Sequence, residues 1–242
     1  RIMKLTPCGL QAPLFAAMTQ GHCRILEESE GGLFLKDLDA GIYMLDVADP
    51  WVARCWLKRH HCPEMKVMVF QESCWRSLRR SPGWRMTDCA LQVVWSRECC
   101  PDTEIELMPA TLTDVQILLE ESGLPEEELL RMMETGRLYA GYLRGRCIGY
   151  GGSGSRGSVE FLYVFANCRK HGWGSQLERA LIARILAQGL IPYGHVSAGD
   201  RAALGLQRRA GMDFCPGYIA WMEPDEQLCR WSDRHLLFAD AE

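Results

Sequence analysis

The stretch Phe161-Leu162-Tyr163-Val164-Phe165-Ala166-Asn167-Cys168-Arg169-Lys170-His171-Gly172-Trp173-Gly174-Ser175-Gln176-Leu177 decides the fold. From Ser158 to Phe165 the residues are mostly apolar and aromatic, the composition of a central strand. Arg169 to Ser175 is basic and broken by two glycines. Beyond it Leu177, Leu181 and Ile185 recur every four residues, which predicts an amphipathic helix that stops near Gly189. At such a helix start the first amides have no intrahelical partner and the dipole is positive, so a pyrophosphate sits there readily. Glycines at 172 and 174 clear side chains from the path of an approaching anion, while Arg169 and Lys170 supply charge.

Working outward, Ile191 to Val196 reads as the next strand, Arg201 to Ala210 as a helix closed by Gly211, and Tyr218 to Met222 as a last strand. Upstream, Ile105 to Met108 is a short strand, and Thr111 or Thr113 can cap a helix through Val115, Leu118 and Leu119. Pro125 opens a second helix that ends near Gly136. Two runs flanking Arg144-Gly145-Arg146 read as a hairpin. Gly149-Tyr150-Gly151-Gly152-Ser153-Gly154 fits a dinucleotide-binding spacing, but it leads into a strand instead of a helix and so reads as a flexible loop.

The first half repeats part of this order: strand (42–47), helix (51–59), strand (66–70), helix (73–80), Gly83 and a strand ending in Trp95. Leu78 to Trp84 stands against Leu206 to Met212, and Trp95 against Trp221. A diverged internal duplication and a chance likeness of two α/β segments both account for this. Polar residues and a proline around Arg97 to Thr103 suggest a link, giving an N-terminal α/β domain over 1–100 and a second domain over 101–242. The expected fold is α/β: a mixed central sheet flanked by helices, in two tandem halves.

The 242 residues are 48% hydrophobic and 24% charged, enough for one large or two modest cores. A net charge of -4 and scattered Lys and Arg argue against a nucleic-acid partner. No apolar run is long enough to span a bilayer, and Pro7, Gly9 and Gln11 follow the start too soon for a signal peptide, so a soluble, cytoplasmic protein is expected. The twelve cysteines fall mostly in apolar runs and read as reduced thiols. Cys55, His60, His61 and Cys62 match no standard zinc spacing, so no metal site is assigned. Trp51, Trp56, Trp75, Trp84 and Trp95 read as core. In the tail, Leu236-Leu237-Phe238 suggests docking on the body or on a second subunit of a homodimer.

The 161–177 segment resembles the GNAT superfamily of acyl-CoA-dependent N-acyltransferases, whose motif Arg/Gln-x-x-Gly-x-Gly/Ala begins five residues after a strand valine, as Arg169 does after Val164. Val196 to Met212 is similar to the superfamily's second landmark, Asn-x-x-Ala-x-x-Leu-Tyr-x-Lys-x-Gly-Phe. The resemblance implies acetyl-CoA as co-substrate and an amine acceptor, small molecule or peptide, that attacks the thioester directly. It implies that backbone groups of Leu162, Tyr163 and Val164 pair with the pantetheine arm, and that Arg169 and the amides of Lys170, His171, Gly172, Trp173, Gly174 and Ser175 hold the pyrophosphate. Asp200, at the usual asparagine, would lie near the pantetheine. Gln207 stands where a tyrosine often protonates the departing thiolate, and would hydrogen-bond the sulfur region. A non-catalytic acyl-CoA-binding module is the alternative that this departure raises.

The acid best placed as general base is Glu160, expected on the strand face of Leu162 and Val164. Flanked by Val159 and Phe161, it should be desolvated and its pKa raised. A structural glutamate paired with an arginine is the competing reading.

Overall fold

The computed structural model describes residues 9–225, so the tail patch at 236–238 and the first eight residues lie outside the described residues. The chain is mixed α/β with two compact units. The first comprises Ala17–Gln92 with 215–225, and the second Val93–Phe214 with 9–16. The boundary expected at 100/101 therefore does not coincide with the division into units. The helix α1 (Ala12–Thr19) is shared between the two stretches, Val93 to Trp95 go with the second unit, and 215–225 return to the first.

In the first unit the strands β1 (Cys23–Ser29), β2 (Gly32–Asp37), β3 (Tyr43–Val47), β4 (Val67–Val69) and β5 (Trp84–Val94) form a sheet with β11 (Asp213–Pro224) in the order β1-β2-β3-β4-β11-β5. β3 and β4 run parallel, joined by α2 (Pro50–Arg59), while β11 is antiparallel to β4 with Ala220 opposite Val69. Asp49 caps α2 through the Trp51 amide at 2.8 Å and Pro50 takes the first turn, where its missing N–H costs nothing. α3 (Glu72–Arg80) buries Cys74, Trp75 and Leu78 in a core with Trp56, Leu57 and Ala220. Trp51 departs from the expected core role and is 67% exposed. His60 binds Glu27 at 2.9 Å, and the Tyr43 hydroxyl meets Cys62 Sγ at 3.5 Å.

The second unit carries an antiparallel sheet in the order β6-β7-β8-β9, formed by β6 (Glu106–Pro109), β7 (Leu138–Leu143), β8 (Arg146–Ser153) and β9 (Val159–Val164). α4 (Leu112–Ser122) starts at a capping box in which Thr111 accepts from the Asp114 amide and Asp114 accepts from the Thr111 amide. α4 and α5 (Glu126–Glu134) bury Val115, Leu118, Leu129 and Met132 against one face of the sheet. α6 (Trp173–Ala187) covers the other through Leu177 and Ala180, with Leu162 and Val164 of β9 among its contacts. β10 (Tyr193–Ser197) and α7 (Arg201–Ala210) follow, and Val196 and Ala210 share a core with Val93, Trp95 and Ile182.

The 149–154 segment, expected as a flexible loop, is instead buried strand as far as Ser153. Its glycines serve close approach. A Cβ on Gly149 would stand 2.0 Å from the Tyr163 carbonyl oxygen of β9, and one on Gly151 would stand 2.5 Å from Leu181 Cδ1 of α6. Gly149→Ala should therefore lower stability by about 1–3 kcal/mol through overpacking against backbone that cannot yield. Denaturant titration reads it, and an unchanged midpoint would show that β9 is free to retreat.

Candidate functional site

β9 is half-buried along its length, not a fully buried central strand. It pairs on one side with β8, Gly151 opposite Leu162 and Gly149 opposite Val164. Toward β10 the ladder is reduced to one parallel bridge, Ser158 to Tyr193, supported by the Tyr193 N–H donating to the Gly157 carbonyl at 3.1 Å. The Phe165 amide donates to Ile148 of β8. By the strand's two-residue alternation, the peptide groups of Leu162 and Val164 face away from β8 into the opening. The Val164 carbonyl there accepts from Arg169 Nε at 2.8 Å.

After β9 a 3-10 turn, Ala166–Cys168, buries Cys168 and delivers the exposed Arg169-Lys170-His171 run. Lys170 (φ 63°) and Gly172 (φ 81°) are left-handed, and alternation of this kind turns successive N–H groups into one concave surface. Gly172 caps α6, and the Ser175 hydroxyl donates back to its carbonyl at 2.8 Å. The amides of Trp173, Gly174 and Ser175 open the helix, where its dipole favours an anion. The two glycines do different work. Nothing lies within 4 Å of a Cβ on Gly172, whereas one on Gly174 would stand 3.0 Å from Leu206 Cδ1 of α7 and 3.8 Å from Val164 Cγ2. Arg169 turns back over the Tyr163 ring, its guanidinium 5.6 Å from the centroid, and the Tyr163 hydroxyl donates to Glu121.

Glu160 shares its face with Leu162 and Val164 by strand alternation, but it is exposed. It accepts a hydrogen bond from the Ser158 hydroxyl, and Gly154 lies so close that a Cβ there would stand 2.3 Å from Glu160 Oε1. The expected burial by Val159 and Phe161 is absent, because the Glu160 side chain stands in solvent beside the turn that joins β8 to β9. Asp200 spends its carboxylate on capping α7, accepting from the Ala203 amide at 2.9 Å. Burial pulls His195 of β10 down to about 4, which leaves it neutral and weakly basic.

Gln207 is buried, and it faces a residue that the sequence reading passed over, Glu178 of α6. Glu178 is fully buried, and neither of its carboxylate oxygens completes a hydrogen bond among the described residues. Gln207 Oε1 is likewise buried and unsatisfied. Burial pushes the Glu178 carboxyl up from 4.5 to about 7, with Gln207 opposing the shift only in part. A signal existed in the sequence, since Glu178 stands four residues after Gly174 and four before the buried Ile182.

The Acetyltransferase (GNAT) family model matches residues 98–212. This span, which contains the loop, the open strand and α7, is a GNAT domain. Two Pseudomonas proteins, each an L-methionine sulfoximine/L-methionine sulfone acetyltransferase, from P. paraeruginosa and P. aeruginosa, are 43% identical over 63 residues. That match covers 25% of this chain and 37% of theirs, so the chain spans little more than a third of the length of these curated relatives. The fold likeness is broader. A GCN5-related N-acetyltransferase from Kribbella flavida superposes with TM-score 0.54 at 11% identity, covering 92% of this chain and 98% of that one. A GNAT-family acetyltransferase from Colwellia psychrerythraea gives 0.51 at 12%, covering 93% and 98%. Among the described residues no helix is long and apolar enough to cross a membrane.

Because its folded-state pKa is raised, Glu178 contributes stability that is fully present below about pH 4.5 and is lost as pH rises through about 7. The loss is on the order of 3 kcal/mol by the usual conversion of a pKa shift to free energy. Glu178→Gln should flatten this dependence, so that melting temperatures of the two proteins diverge between pH 5 and pH 8 in favour of the variant. Parallel curves would show that Glu178 is ionised throughout.

Proposed function

We propose that the chain transfers an acetyl group from acetyl-CoA to a primary amine, with both substrates meeting at the opening beside β9. The observation that carries this reading is the junction of an unpaired strand edge with a concave run of amides at a helix start. The first suits the two amides of a pantetheine arm, added like a further strand, and the second suits the pyrophosphate. The orders agree: an arm laid along Val164 and Leu162 reaches from the loop toward Glu160. Leu162 and Val164 pair with the arm, whereas the peptide groups of Tyr163, expected to join them, are turned to β8, and Arg169 to Ser175 hold the phosphates. Leu206, in contact with Gly174, keeps α7 against the loop.

Glu160 is the base in this reading. A solvent-exposed carboxylate beside the thioester end takes the surplus proton of the attacking amine directly or through one water, without needing a desolvated site. The amine is held against the thioester by the walls of the opening, and this positioning supplies much of the rate. Amino acids with an oxidised sulfur side chain, the acceptors named for the Pseudomonas relatives, lead the acceptor panel, followed by other amino acids and polyamines.

Acetyl-CoA should raise the melting temperature of the full chain, and Gly172→Asp, which puts a negative charge into the amide cup, should weaken its binding at least tenfold by calorimetry. Equal affinity in the variant would remove the loop from the site. Glu160→Gln should cut thiol release by roughly 10²–10⁴ while acetyl-CoA affinity holds. Tight binding without thiol release across the whole panel would instead favour an acyl-CoA-binding module, the reading that the glutamine at 207 motivates.

A further inference from the structure

The thiolate that leaves during acyl transfer must gain a proton, and the amide side chain of Gln207 cannot give one up. α6 runs antiparallel beneath β9. Gly174 packs by Val164, and Leu181 packs by Gly151, which is opposite Leu162. Glu178 lies between these two levels, one turn beyond Gly174, and faces α7 at Gln207. It is thus an acid buried under the open stretch of β9. The Glu178 carboxyl oxygens and Gln207 Oε1 are all buried without a completed hydrogen bond, and the two side chains lie beside one another across this seam. Such a pair is costly unless one proton bridges it.

We propose that Glu178 is held as a carboxylic acid hydrogen-bonded to Gln207 Oε1, and that it gives its proton to the coenzyme A sulfur as the acyl–sulfur bond breaks. The inference rests on the acetyl transfer proposed above. In that reaction the amine nitrogen bonds to the thioester carbonyl carbon, and the carbon–sulfur bond breaks with its electron pair on sulfur. Sulfur takes the Glu178 proton, leaving a carboxylate. The surplus proton of the former amine leaves through Glu160 to water, and water reprotonates Glu178 before the next cycle. The products are an amide and free coenzyme A.

The charged neighbours on α6 and α7 do not neutralise Glu178. Arg179 donates to the carbonyls of Ala210 and Arg209, Arg208 lies over the Phe214 ring, and Arg209 folds along its own helix toward Gly205. Burial is therefore the dominant influence on the carboxyl, which titrates near 7.

The test compares the full-length wild type with Glu178→Gln, which keeps the shape and a hydrogen-bonding partner for Gln207. Acetyl-CoA is the acyl donor, with the best amine of the panel. The acid role predicts that the wild type releases thiol at least tenfold faster at pH 6, and that the ratio shrinks toward one by pH 9, where the wild-type acid is ionised. Amine protonation affects both proteins alike and cancels from the ratio. Acetyl-CoA affinity should agree within twofold. Independently of turnover, difference infrared spectra of wild type should show the carbonyl band of a neutral carboxyl at pH 6 that is lost by pH 9 and is missing in the variant. A ratio constant across pH marks a structural role and overturns the proposal, as does absence of that band. A wild type that neither binds acetyl-CoA nor releases thiol overturns the acetyl-transfer reading and this inference with it.

Discussion

The single bridge between Ser158 and Tyr193 is the constraint on which the second unit turns. Two parallel strands joined at one point leave peptide groups on β9 without a ladder partner, and buried peptide groups without partners are costly. β9 is only half-buried, which lowers that cost. One of these groups, the Val164 carbonyl, accepts from Arg169 Nε instead of from a strand. Gly157 lets the backbone of the bridge close, since a Cβ there would meet the Ile191 carbonyl at 2.6 Å.

Helix α6 couples the two kinds of chemistry at the opening. Its first turn is half-buried and follows the left-handed Lys170 and Gly172, whereas its second turn carries the fully buried Glu178. One helix thus begins half-buried at the loop and carries an acid into the interior. The glycines of β7 and β8 permit this by letting the helix sit close to the sheet: a Cβ on Gly141 would meet Leu177 at 2.5 Å, as one on Gly151 would meet Leu181.

The features readable from the sequence are those set by local pattern. The Arg169 loop, α6, the 144–145 hairpin and the capped α4 all declare themselves through periodicity, caps and turn residues within a dozen positions. β8 does not, because Gly149, Gly151 and Gly152 look like a loop until the side chains of α6 and the backbone of β9 are seen to require their smallness. The β1–β2 hairpin, which opens the first sheet, was likewise missed, its polar edge strand β1 giving little alternation. Within the site, the loop residues are legible and the Glu178–Gln207 pair is not, since its two members lie on different helices and acquire their character only when burial removes water. The exposed state of Glu160 has the same origin: neighbours in sequence suggest burial, but the opening beside the strand decides it.

The course of β11 bears on how this chain can be made. Its Ala220 pairs with Val69 inside the first unit, so the edge of β4 waits for a strand that is made only after the whole of 93–214. Until then, Val67–Val69 is an apolar strand with an unpaired side, the kind of surface that invites wrong partners. Pairings so distant in sequence also slow folding, because the loop must close before the contact rewards it. Cutting the chain before Cys100 would strip Val93 and Trp95 from the core of the second unit while leaving β11 without β4. Neither unit can be completed from one continuous stretch of the growing chain.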